Sequence, residues 1–131
     1  IMENKFDLLK SYVTELGFDI ASENHEEQIL LVTDENRGIL NLIIDIEDPI
    51  VIFEQMIGTI RNESIESYKS LLKINRELVH GAFVLDEESN RILFRDTLQI
   101  ENLDLNEVDG TIAALSLAMS EYGGTLISIC K

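Results

Sequence analysis

The stretch from Leu71 to Ile112, LLKINRELVHGAFVLDEESNRILFRDTLQIENLDLNEVDGTI, constrains the fold more than any other part of this chain. It passes from helix to strand, through an acidic turn to a second strand, and across a loop into a capped helix. The helix begins upstream at Ser64, whose hydroxyl suits an N-cap. Ile65, Tyr68, Leu72, Asn75 and Val79 recur at helical spacing as its inward stripe, with Leu71 and Leu78 alongside. Gly81 ends that helix. Ala82 to Asp86 and Arg91 to Leu98 read as strands, and the short link Glu87-Glu88-Ser89-Asn90 makes them a hairpin. Asn106 is placed to cap the last helix, with Asp109 at its N3 position. Val108, Ile112, Leu115, Met119 and Tyr122 form the apolar stripe of that helix. Gly123-Gly124 is expected to stop it, leaving Thr125 to Cys130 as a short docked strand.

The N-terminal half follows the same logic. Met2, Phe6, Leu9, Val13 and Leu16 fall on one face of a helix, with Gly17 just past its end. Phe18-Asp19-Ile20 is short and extended, and Ser22 to Glu27 is a polar turn. Gln28 to Thr33 is a strand. Ile39 to Ile46 is another, with Leu40, Leu42, Ile44 and Ile46 on one face and Ile39, Asn41, Ile43 and Asp45 on the other. Proline cannot donate to a central ladder, so Pro49 breaks the strand and Ile50 to Met56 resumes it. No link is a long crossover between parallel strands. The fold class is therefore α+β: a twisted antiparallel sheet with three helices packed on it, in the order α-β-β-β-α-β-β-α, plus a short extra strand after the first helix. A length of 131 residues predicts one domain, 1–131.

Ten Lys and Arg stand against 25 Asp and Glu, a net charge of −15, while 45% of the residues are apolar. Phosphate backbones and anionic membrane surfaces would repel such a chain, so neither nucleic acid nor membrane is an expected partner. The single cysteine, Cys130, cannot close an intrachain disulfide and fits a reducing, cytoplasmic setting. Glu3, Asp7 and Glu15 make the N-terminus unlike a signal peptide, and Ile1 before Met2 reads as a cloning scar.

The chemistry-bearing residues give no catalytic frame. His25 lies in a polar turn, and His80 sits where a cation suits a helix C-terminus. No nucleophile motif accompanies them, and two histidines with one terminal cysteine lack metal-ligand spacing. Gly123-Gly124 follows a helix rather than opening one, which is the wrong place for a phosphate cradle. Asp86-Glu87-Glu88 and Asp45-Glu47-Asp48 read as solvated turns. No cofactor, no metal and no enzymatic activity are expected. A carboxylate-based enzyme and a structural subunit of a larger complex remain the alternatives to a binding module.

Three local features, Leu71-Leu72-x-x-Asn75, the Gly81-to-Asp86 strand entry and Asn106-Glu107-Val108-Asp109, together with the element order, resemble the YbjN-like family, whose members share the fold of type III secretion chaperones. The resemblance covers nearly the whole chain and implies a small cytoplasmic homodimer that binds a protein or peptide. It names no partner.

Three groups of residues are candidates for such contacts. Asn75 lies within the apolar arc of its helix; it either ties the helix to a nearby backbone or sets register across a dimer interface. Lys69, Lys73 and Arg76 form a basic stripe on that helix, either a solvated face or a contact for an acidic surface on a second subunit or partner. Gly110, Ala113, Ala114 and Leu117 give the last helix a second apolar side. They reflect either helix propensity or close packing against another subunit or the C-terminal tail.

Overall fold

The computed structural model describes residues 4–130, so the readings of Ile1, Met2 and Glu3 lie outside the described residues. The elements run α1 (Lys5–Glu15), β1 (Asp19–Asn24), β2 (Ile29–Asp34), β3 (Ile39–Glu47), β4 (Ile50–Thr59), α2 (Ile65–Glu77), β5 (Ala82–Leu85), β6 (Arg91–Gln99) and α3 (Leu105–Cys130). One 3-10 turn, Glu35–Arg37, joins β2 to β3. The strands form one antiparallel six-stranded sheet in the order β1-β2-β3-β4-β6-β5. This is the predicted α+β order, with β1 as the extra strand. It reaches Asn24, beyond the turn expected from Ser22, because Glu23 and Asn24 pair with Leu30 and Ile29.

The helices share one face of the sheet. Phe6, Leu9 and Val13 of α1, Leu71 and Ile74 of α2, and Val108, Ile112 and Leu115 of α3 join Leu30, Leu42, Ile44, Phe53, Ile92 and Phe94 in a single core. Asn4 starts α1 by accepting from the Phe6 and Asp7 amides.

The alternation expected for β3 fails at its start. Val32 pairs with Leu42 but Asp34 pairs with Ile39, so β3 carries one extra residue, and Asn41 takes φ +53°. Ile39 therefore turns into the core and Leu40 turns out. The buried Gln55 of β4 repairs the gap: its amide accepts from Leu40 N–H at 2.9 Å and donates to the Gly38 carbonyl at 3.1 Å.

The last helix differs from expectation at both ends. Its cap is Asp104, whose carboxylate accepts from the Glu107 amide at 2.8 Å, rather than Asn106. Gly123-Gly124 does not stop it, and Thr125 to Cys130 is helix rather than strand. Each glycine costs about 1 kcal/mol in a helix interior. Beyond them Leu126 and Ile129 are buried, and the Ile129 carbonyl accepts from the Arg61 amide. Burying one such side chain contributes about 1.5–3 kcal/mol, enough to carry the helix through. By length and composition alone α3 is long and apolar enough to cross a membrane, a test that the core helix of a soluble protein also passes; Val108, Ile112, Leu115, Ala118, Leu126 and Ile129 pack into the core.

The inward face of α2 is also rotated from the predicted one. Leu71 and Ile74 are buried, whereas Ile65 and Leu72 face solvent and Val79 lies exposed past the helix end at Glu77. Apolar residues occupy so much of this helix that spacing alone allows either stripe. Asn75 decides between them. Its amide donates to the Phe83 carbonyl at 3.0 Å and accepts from Phe83 N–H at 2.7 Å. Phe83 lies on the edge strand β5, so Asn75 occupies the backbone groups that would otherwise be open to another strand. Gly81, at φ +74°, lets the chain turn from α2 into β5 where any Cβ would strike the Phe94 ring.

Replacing Asn75 by Ala leaves both Phe83 groups without their partner. A loss of about 1–3 kcal/mol in urea unfolding is expected for Asn75→Ala. Asn75→Leu is expected to lose a similar amount, since it forfeits the same bonds. Melting like the wild type in both variants would mean that water replaces the amide at no cost.

Candidate protein-binding surfaces

Among the described residues, apolar side chains are exposed on both sides of the molecule. On the helix side, Ile65, Leu72, Val79 and Leu117 are 72%, 70%, 86% and 59% exposed. The Ser64 hydroxyl accepts from the Ser67 amide at 3.1 Å and starts α2, which carries Lys69, Lys73 and Arg76 on the outer face as predicted. All three cations are exposed, and none is ion-paired among the described residues.

The chain after α2 folds back over α3 and encloses a groove of about 230 Å³. Ala113, Ala114 and Leu117 form its floor, and Val79 and His80 form a wall. The residues singled out on α3 are thus brought beside the end of α2. Asn75 is not among them, because its amide is committed to β5. His80 packs on α3 over Gly110, where a Cβ would come within 3.0 Å of its Nε2. Glu77, Glu121 and Tyr122 close the other end of the groove. Burial, then the charges of Glu121 and Glu77, hold the Tyr122 phenol above its ordinary range. An apolar groove with an acidic end therefore adjoins a basic stripe. No local pattern marks the acidic end, since Glu77 and Glu121 come together beside Tyr122 only when α2 and α3 are folded against each other.

The second surface is the face of the sheet that the helices leave free. Its rungs follow from register. Leu31, Ile43, Glu54, Arg95 and Ala82 line up across β2, β3, β4, β6 and β5, and Ile29, Asp45, Ile52 and Thr97 line up beside them. Ile43 and Met56 are 43% and 52% exposed here. Glu54 pairs with Arg95. Asp45 lies between Ile29 and Ile52, and its Oδ1 is buried with no hydrogen-bond partner. Burial first, then repulsion from and hydrogen bonding to Glu47, then the charges of Glu27 and Glu54, push its carboxyl up to about 6. Asp45 is a residue of β3, as its place in the Ile39–Ile46 strand predicts, and its apolar setting differs from the solvated turn expected of Asp45-Glu47-Asp48.

Other candidates are accounted for locally. His25 pairs with Glu23 at 2.6 Å, and Asp86 pairs with Arg91 at 2.7 Å. Burial pushes the Cys130 thiol up, away from the reactive thiolate form. Among the described residues, no three His, Cys, Asp or Glu side chains gather as metal ligands.

Residues 2–131 match the CesT_Tir_1 family, a family of type III chaperones. No curated protein matches the chain. Solved structures similar to it in fold include the following. YbjN of E. coli is 17% identical over 92% of both chains, with a TM-score of 0.69. An uncharacterized protein from Methanothermobacter thermautotrophicus is 13% identical over 98% of this chain and 100% of its own, with a TM-score of 0.71. The Yersinia pestis type III secretion chaperone SycH, solved in complex with a fragment of YscM2, is 17% identical over 96% of this chain and 99% of its own, with a TM-score of 0.55.

The position of Asp45 makes a pH prediction. Its carboxyl is raised from 3.8 to about 6 in the folded chain, so folding takes up a proton between those values. Stability from this group is present below 3.8 and is lost as pH rises through 6. Asp45→Asn is therefore expected to raise the melting temperature above pH 6, with the gain vanishing below 3.8. A pH-independent difference between the two proteins would contradict this reading.

Proposed function

We propose that this chain, which belongs to the CesT_Tir_1 family, is a non-enzymatic protein-binding module that acts as a cytoplasmic homodimer and holds a segment of another polypeptide. The fold of the family suggests a protein-binding, chaperone-like role. SycH was solved holding a fragment of another protein, and the proposal carries that kind of use, without that partner, to this chain.

The observation that carries the proposal is the set of exposed apolar side chains on the helix side, Ile65, Leu72, Val79 and Leu117, together with the exposed cations Lys69, Lys73 and Arg76 of α2. Single exposed apolar residues are ordinary, but a patch rimmed by charge marks a contact surface. Two copies of a chain with charge −15 repel each other, so their contact belongs where acids are fewest. Between Leu105 and Cys130 the acids of α3 are Glu107, Asp109 and Glu121 alone, and α2 supplies the basic stripe. A two-fold contact puts the same patch on both copies. The basic stripe of one copy would then meet Glu77 and Glu121 of the other, while Ala113, Ala114 and Leu117 accept an apolar side chain. Asn75 takes no part in this contact.

Light scattering at micromolar concentration is expected to give about twice the chain mass of 14.9 kDa. The double variant Lys69→Glu, Lys73→Glu is expected to shift the protein to monomer, with its own stability changed by no more than about 0.5 kcal/mol. A wild-type monomer throughout that range, or a double variant that dimerises as before, would contradict the proposal.

A further inference from the structure

The sheet face opposite the helices is the remaining surface, and its chemistry differs from that of the helix side. A sheet that is apolar on a face buries that face against another element. Here Leu31, Ile43, Ile52, Met56 and Leu93 leave an apolar band that no element of this chain covers among the described residues. The acids Glu27, Asp45, Glu47 and Glu54 interrupt and border that band. The cations that β6 turns to this side are already paired, Arg95 with Glu54 and Arg91 with Asp86. Asp45 Oδ1 is buried without a donor, in a place where a partner's cation could supply one.

We propose that this open sheet face docks a cationic amphipathic helix from another polypeptide, its apolar side on the band and its Lys or Arg side chains on the acids of β3 and β4. The proposal rests on the polypeptide-binding reading above and adds the site and the chemistry of the bound segment. A second copy presenting the same face would bring acid against acid. An anionic membrane meets the same repulsion. A cationic helix satisfies both the apolar band and the excess charge.

Binding is coupled to protonation. Asp45 is bordered by Glu47 on its own strand, by Glu27 before β2, and by Glu54 on β4, itself paired with Arg95 of β6. A cationic partner favours the ionised carboxylate, so affinity falls as pH drops through about 6.

The test uses the whole chain and a fluorescent Leu/Lys amphipathic peptide of about 18 residues, long enough to hold a helix once docked. Fluorescence anisotropy at physiological salt reads binding. A Gly/Lys peptide of equal charge is expected to bind at least about tenfold more weakly. The exposed pair Ile43→Ser, Met56→Ser is expected to weaken the Leu/Lys peptide by about tenfold, and Asp45→Asn to flatten the pH dependence. Equal binding of the two peptides, no binding of the Leu/Lys peptide, or indifference to the sheet substitutions would overturn the proposal. If Lys69→Glu, Lys73→Glu abolishes peptide binding and the sheet substitutions do not, the sheet site fails while the polypeptide-binding reading stands. That reading itself fails if the protein is monomeric and neither surface responds to substitution.

Discussion

The burial of one stripe of α3 across the sheet is the contact on which the rest of the molecule depends. Val108, Ile112, Leu115 and Ala118 are almost wholly removed from water, and Leu126 and Ile129 extend the same stripe to the last turn. Truncating a side chain such as Leu115 to Ala would cost about 2–5 kcal/mol. The Thr111 hydroxyl on this stripe donates a hydrogen bond to the Asp96 carboxylate of β6 at 2.8 Å, which satisfies a carboxylate held against the helix. The stripe commits one side of α3 and one face of the sheet. What remains is a small-residue side of α3 next to α2, and an opposite sheet face with no cover.

Charge then separates the uses of the two surfaces. On the proposal above, self-association of so acidic a chain is placed on the α2–α3 side, where its acids thin out. The sheet face is acidic and apolar together, which suits a cationic segment and repels a second copy. Asn75 keeps the roles distinct. By holding the Phe83 backbone it closes part of the β5 edge, so that growth of the sheet by an added strand is disfavoured there. Partners are left with faces rather than that edge.

Much of this architecture is legible in the sequence, because hairpin-length links, capping residues and apolar spacing are local signals. The Ala82–Leu98 hairpin, the Ser64 cap and the basic stripe on α2 follow from nearest neighbours. Features set by distant contacts do not. Gln55 reads as an ordinary strand residue until the bulge at Asn41 leaves Leu40 and Gly38 needing partners. The persistence of α3 through Gly123-Gly124 depends on Leu126 and Ile129 finding the core. The rotation of α2 depends on Phe83. The groove and the acids around Asp45 are likewise assembled from separate elements, so no window of sequence displays them. Asn75, which spacing places within the apolar arc of α2, ties that helix to a strand backbone, one of the two roles its sequence position allows.

On the two proposals, self-association and capture of a polypeptide use opposite sides of the molecule. Native mass spectrometry of the protein titrated with the Leu/Lys peptide tests it directly. The dimer of two 14.9 kDa chains is expected to persist and to take up one peptide per chain. Dissociation into singly loaded monomers would contradict it, since it would place both partners on one surface.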